Sequence, residues 1–146
     1  MNTRDIEQVR ELNPQKADRA IALIKASLSD FRPFDPSVEY SPKELEPYDA
    51  LADRFVRAVE CALRYFRSHE LAEFAEQSDT TRNLLNRMEK LGLISNATLW
   101  LEMRNVRNRI THDYLPEQQA AMFGEIQRRF GPELLRLTPT LTPSPD

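Results

Sequence analysis

Glycine is the residue this chain nearly does without. Only Gly92, Gly124 and Gly131 occur in 146 residues, and no Asn-Gly or Asp-Gly pair marks a tight hairpin. A chain so poor in left-handed turn residues reverses direction seldom, which favours long helices joined by few connections. The same scarcity removes the Gly-rich phosphate loops. Neither G-x-G-x-x-G nor G-x-x-x-x-G-K-[ST] can be written with these three positions.

Helix punctuation agrees with that expectation. Asn13-Pro14 reads as N-cap and first helical residue, followed by an apolar stripe of Ala20/Ile21, Ile24, Leu28 and Phe31. The connection "RPFDPSVEYSP" holds three prolines; it suits either a cover over a cleft or a simple connector. Ser41-Pro42-Lys43-Glu44 has the capping-box pattern, with Pro47 expected to bend or reset the start. Phe55, Val59, Ala62/Leu63 and Phe66 then keep helical period, ringed by Asp53, Arg57, Glu60, Arg64 and Arg67. Asp79 is the expected cap of a third helix that Gly92 ends, and Ser95 or Asn96 caps a fourth running to about Tyr114. Pro116 opens a fifth helix with Phe123, Ile126 and Phe130 inward, expected to stop at Gly131-Pro132. No strand pairing or internal repeat is visible. The fold class is all-α, an antiparallel bundle of four to five helices occupying residues 1–137, with a flexible Pro-rich tail over 138–146.

A length of 146 residues, 40% hydrophobic and 29% charged, suits one soluble domain with its own core. Cys61 is alone, so there is no disulfide framework and no thiolate metal site. The N-terminal "MNTRDIEQVRELNPQ" is charged from its fourth residue and lacks the apolar stretch of a secretory signal. No run reaches the ~18 apolar residues of a membrane span. A cytoplasmic protein without membrane association is expected. The net charge of −3 opposes non-specific nucleic-acid binding, yet charge is unevenly spread. Residues 40–79 hold five Lys/Arg against nine Asp/Glu, whereas residues 82–109 hold six against two. This division is compatible with a local basic patch on an acidic body.

The chemistry-bearing residues concentrate in "LEMRNVRNRITHDYLP", Leu101 to Pro116. On a helical wheel Leu99, Met103, Val106 and Ile110 fall in one arc suited to a core, with Trp100 beside Arg107 on its shoulder. Arg104, Asn108 and His112 form a second stripe turned away from that arc. A solvated basic face and a histidine seated at a helix C-terminus would account for parts of this pattern. They do not account for arginine, asparagine, histidine and tyrosine converging on one turn. His69 belongs to another helix, so no metal ligand set forms, and no Ser-His-Asp arrangement is recognisable. What these side chains suit is metal-independent phosphate chemistry: arginine forks phosphate oxygens, and histidine moves protons near neutral pH. No cofactor is expected.

At Arg107-Asn108-Arg109-Ile110-Thr111-His112-Asp113-Tyr114 the chain resembles the HEPN domains, whose signature is R-x4-6-H. The trailing tyrosine gives the R-x4-H-x-Y form of the HepT-like toxins and nucleotidyltransferase substrate-binding proteins, found with a small MNT-type nucleotidyltransferase antitoxin. The resemblance covers roughly residues 48–126 and selects Arg107 as the motif arginine, although an extra Arg104-Asn105 step precedes it. It implies a HEPN-like bundle and a homodimer whose motif helices meet across a cleft. Arg107 and His112 would be catalytic, Arg104, Asn108 and Arg109 would bind an RNA substrate such as tRNA, and Tyr114 would receive AMP from the partner. Two other readings suit the same residues. One is a non-catalytic subunit presenting a nucleotide or substrate to the nucleotidyltransferase. The other is a helical oligomerisation module whose basic stripe pairs with the acidic second helix.

Overall fold

The computed structural model describes the backbone of residues 3–141 and the side chains of residues 13–137. Among the described residues every regular element is helical: α1 (Thr3–Ser29), α2 (Pro42–Phe74), α3 (Thr81–Lys90), α4 (Ala97–His112), α5 (Pro116–Glu125) and α6 (Gly131–Leu141), with a π-helical turn over Ile126–Phe130 joining the last two. The all-α bundle expected from the glycine count is the observed class.

The long pair α1 and α2 forms the frame. Ala17, Ala20, Ile21 and Ile24 of α1 are buried at the spacing of one helix face, with Leu28 and Phe31 packed beside them. The expected start at Asn13-Pro14 does not hold. Pro14 lies inside α1, because the backbone is helical from Thr3; one lost amide donor does not stop a helix that continues on both sides. Pro47 likewise lies inside α2 and does not reset it. The capping box is present as read: Glu44 N donates to Ser41 Oγ (3.2 Å) and Ser41 N donates to Glu44 Oε1 (3.1 Å).

The connection between them is packed, not slack. Phe34 stacks on Tyr40 (4.9 Å between centroids), meets Tyr48 edge-on (5.1 Å) and reaches Phe123 of α5 (5.6 Å). Tyr48 donates its hydroxyl to Arg32 O at 2.9 Å. This segment therefore braces α1, α2 and α5 against one another.

Thr80, not Asp79, caps α3: its side chain accepts from Asn83 N. Gly92 takes the left-handed conformation expected of it (φ 78°) just beyond the helix end. Helix α5 does not stop at Gly131-Pro132. The π turn carries the chain into α6, and Gly131 N–H bonds back to Ile126 O. Gly131 serves close packing, since a Cβ there would lie 2.7 Å from Ile126 O and 2.7 Å from Leu28 Cδ1. The backbone stays helical to Leu141, four residues into the segment read as a tail from residue 138; residues 142–146 lie outside the described ones.

The core runs through all elements. Phe55 stacks on Phe130 (5.8 Å) and Phe66 meets Trp100 edge-on (5.1 Å), tying α2 to the π turn and to α4.

Candidate functional site: the groove between α2 and α4

Helix α4 is held firmly at its start. Asn96 caps it, accepting from Leu99 N at 2.9 Å, and Glu89 Oε1 accepts from Ala97 N at 2.7 Å. Ser95 Oγ donates to the buried Glu133 carboxylate of α6 at 2.6 Å. Two carboxylates thus fix the turn from which α4 projects.

The buried face of α4 is Ala97, Trp100, Met103 and Val106. That differs from the expected arc. Trp100, read as a shoulder residue, is fully buried, whereas Leu99 is half-buried and Ile110 is 40% exposed. Steps of three residues wind the buried stripe around the helix, which packs against both α2 and α3. The final turn leaves the core altogether.

The motif residues occupy the surface this winding leaves open. Arg104, Asn105, Arg107 and Asn108 line one side of a groove of about 340 Å³. Val56, Val59, Glu60 and Leu63 of α2 line the other. Three apolar side chains and the Glu60 carboxylate thus form the α2 side, and two guanidinium groups with two carboxamides form the α4 rim. A larger hollow of about 640 Å³ lies against the other end of α2, beside Phe31, Tyr40 and Tyr48. None of the motif residues reaches it, so its size does not make it the site of their chemistry. The segment of residues 30–41 does not line the α2–α4 groove, so it is no cover for it.

Within this groove Arg107 ion-pairs with Glu60 of α2, although its own side chain is 71% exposed. Asn108 Nδ2 donates to Asn105 Oδ1 at 2.9 Å. Arg109 is turned elsewhere: its Nε donates to Asp113 Oδ2 at 3.2 Å, bracing the helix end. The side chains of Arg104, His112 and Tyr114 make no hydrogen bond or ion pair with another described residue, and all three residues are exposed. Tyr114 is the most open of the large hydrophobic side chains among the described residues, at 81%.

His112 is the last residue of α4 and does not line the groove. Five residues at about 100° each set it roughly 140° around the helix from Arg107. A single chain therefore does not bring the motif arginine and histidine together. The residue that sequence reasoning passed over is Glu60, which it counted among the charges ringing α2. The opposite charge of residues 40–79 and 82–109 was the signal available.

Among the described residues no group of His, Cys, Asp and Glu is arranged to hold a metal ion, and no helix is long and apolar enough to cross a membrane.

Comparison with curated proteins returns no match. The family model described as nucleotidyltransferase substrate binding protein-like matches residues 13–142, which takes in the connection, the groove and the motif helix. On that match, the chain belongs to the nucleotidyltransferase substrate binding protein-like family.

Proposed function

We propose that this chain is a HEPN-type toxin: a metal-independent endoribonuclease of the cytoplasm, acting on tRNA or another structured RNA, and restrained by a partner nucleotidyltransferase. The family's name implies association with such an enzyme. The observation that carries the reading is the division of labour along α4. Arg104, Arg107 and Asn108 line a groove that an RNA backbone would enter, and an unpartnered His112 stands at the helix end.

Because one chain separates Arg107 from His112, the reactive centre is composite, formed when two copies set their α4 helices side by side. In it the RNA 2′-oxygen attacks the adjacent phosphorus while the bond from phosphorus to the 5′-oxygen breaks. One histidine takes the 2′-hydroxyl proton and the other returns a proton to the departing oxygen. Arg107 stabilises the charge that gathers on the phosphorane oxygens. The products are a 2′,3′-cyclic phosphate and a 5′-hydroxyl. Tyr114, two residues beyond His112, is the acceptor for AMP. A nucleotide there would fill the cleft and repel RNA by its charge.

The test is cleavage of total tRNA in EDTA by the protein and by its His112→Ala variant, with product ends mapped. Cleavage by the first alone, leaving cyclic phosphate ends, is the expected result. Cleavage that requires Mg²⁺, or that survives His112→Ala, refutes it.

A second reading has one observation in its favour. Arg107 is engaged by Glu60 within the chain, an arrangement that suits holding phosphate without breaking it, as a subunit presenting a nucleotide to the nucleotidyltransferase would. Nucleotide binding by unmodified protein with no cleavage of any RNA, and no growth arrest on expression alone, would select that reading.

A further inference from the structure

Among the described residues Glu60 is the one acid that lines the α2–α4 groove. Its carboxylate, 36% exposed, sits on the Arg107 guanidinium from the facing helix, in a groove whose other charged group is Arg104. Other exposed ion pairs lie outside the groove: Arg57 with Asp53 joins residues four apart on α2, and Arg129 of the π turn pairs with Glu125 and with Glu102 of α4. The Glu60 pair differs, since it joins two helices across a hollow and places an anion where an anionic ligand would be held.

We propose that Glu60 is an internal stand-in for phosphate: it holds Arg107 while the groove is empty, and a phosphodiester of a single RNA strand displaces it on entering between α2 and α4. This rests on the phosphate-binding role of Arg107 given above. A carboxylate and a phosphate oxygen compete for the same planar fork of donors. The released Glu60 then faces the ligand as a like charge. Arg104, which has no partner among the described residues, supplies the second cation. The apolar α2 side, Val56, Val59 and Leu63, lies where a sugar and base attached to that phosphate would rest. Glu60 is thus a positioning residue. It keeps Arg107 extended over the groove, and it raises the affinity a ligand must have to enter.

The probe is a fluorescein-labelled 2′-O-methyl oligoribonucleotide, which keeps the phosphates and lacks the attacking hydroxyl. Binding is read by fluorescence anisotropy, so the result does not depend on cleavage. Glu60→Gln and Glu60→Ala are expected to bind about two- to five-fold more tightly than the unaltered chain, the range an exposed ion pair sets. Asp53→Asn, which makes the same change of charge on α2 outside the groove, should leave the affinity unchanged. In an Arg107→Ala background the gain from Glu60→Gln should vanish. Equal or weaker binding by both Glu60 variants overturns the inference, as does an equal gain from Asp53→Asn or a gain that persists without Arg107. If Arg107→Ala weakens binding yet the Glu60 variants show no gain, the inference falls and Arg107 keeps its role. If Arg107→Ala binds as well as the unaltered chain, both fall.

Discussion

Trp100 anchors the helix that carries the motif, and replacing it separates two physical terms. Its ring is fully buried and meets Phe66 edge-on at 5.1 Å. Its Nε1–H is buried and finds no acceptor among the described residues. Trp100→Ala removes the packing and leaves a large cavity, a cost of about 3–5 kcal/mol. Trp100→Phe keeps an aromatic ring against Phe66 and loses about 40 Å³, which at about 24 cal/mol per Å³ costs roughly 1 kcal/mol. It also deletes an unsatisfied donor, whose burial costs about 1–3 kcal/mol. The phenylalanine variant should therefore lie between unchanged and about 2 kcal/mol more stable than the parent. Urea unfolding followed by far-ultraviolet circular dichroism is the assay, because Trp100 is the only tryptophan and both variants lose its fluorescence. For a chain of this size the alanine variant should melt about 10 °C lower. A phenylalanine variant destabilised by more than about 2 kcal/mol would refute the reasoning, since it would mean the indole N–H contributes favourably where it lies.

Two further outcomes rest on the structure and a third on the proposed function. Burial, reinforced by a hydrogen bond with Tyr40, pushes the Tyr48 hydroxyl from 10.0 up to about 12. The folded chain keeps that proton where the unfolded chain has lost it, so the stability Tyr48 contributes is complete below pH 10 and is lost as pH rises toward 12. Urea midpoints across that window should fall more steeply for the parent than for Tyr48→Phe, and equal slopes would contradict this. Glu70 is buried and accepts from Ser78 N (2.6 Å) and Ser78 Oγ (2.5 Å), with Arg87 Nη1 at 3.3 Å. Glu70→Ala should cost about 3 kcal/mol in thermal unfolding and speed hydrogen exchange at the Ser78 amide, and a loss under about 1 kcal/mol would deny the carboxylate its hold on the turn. Tyr114→Phe should leave stability within about 0.5 kcal/mol, given its exposure. With the partner nucleotidyltransferase and ATP, intact mass should show AMP added to the parent and not to this variant; equal addition to both would place the acceptor elsewhere.

The sequence was most informative where structure is decided within a few residues. The Ser41/Glu44 box, the Asn96 cap, the left-handed Gly92 and the helix start at Pro116 are local exchanges of backbone donors and acceptors, and each is found as the residues imply. The alternation of apolar positions in α1 and α2 was equally legible, because each long helix lays one continuous face on the core. The R-x4-H-x-Y spacing placed the chain in a family that the match over residues 13–142 supports.

The tertiary structure decided what depends on neighbours distant in the chain. Single prolines at 14 and 47 read as helix starts, yet turns on either side carry the helices past them. Gly131-Pro132 reads as a stop. Only the approach of Leu28 and the wide π turn make that glycine a packing residue inside a continuing helix. Trp100 and Ile110 exchange roles, core for surface, because α4 packs against two partners, α2 and α3, and a wheel drawn for one partner cannot show that. The ion pair of Glu60 with Arg107 spans 47 residues. The sequence determined which charges and caps exist. Folding determined which of them meet, since the energy of a contact depends on a distance that no local pattern encodes.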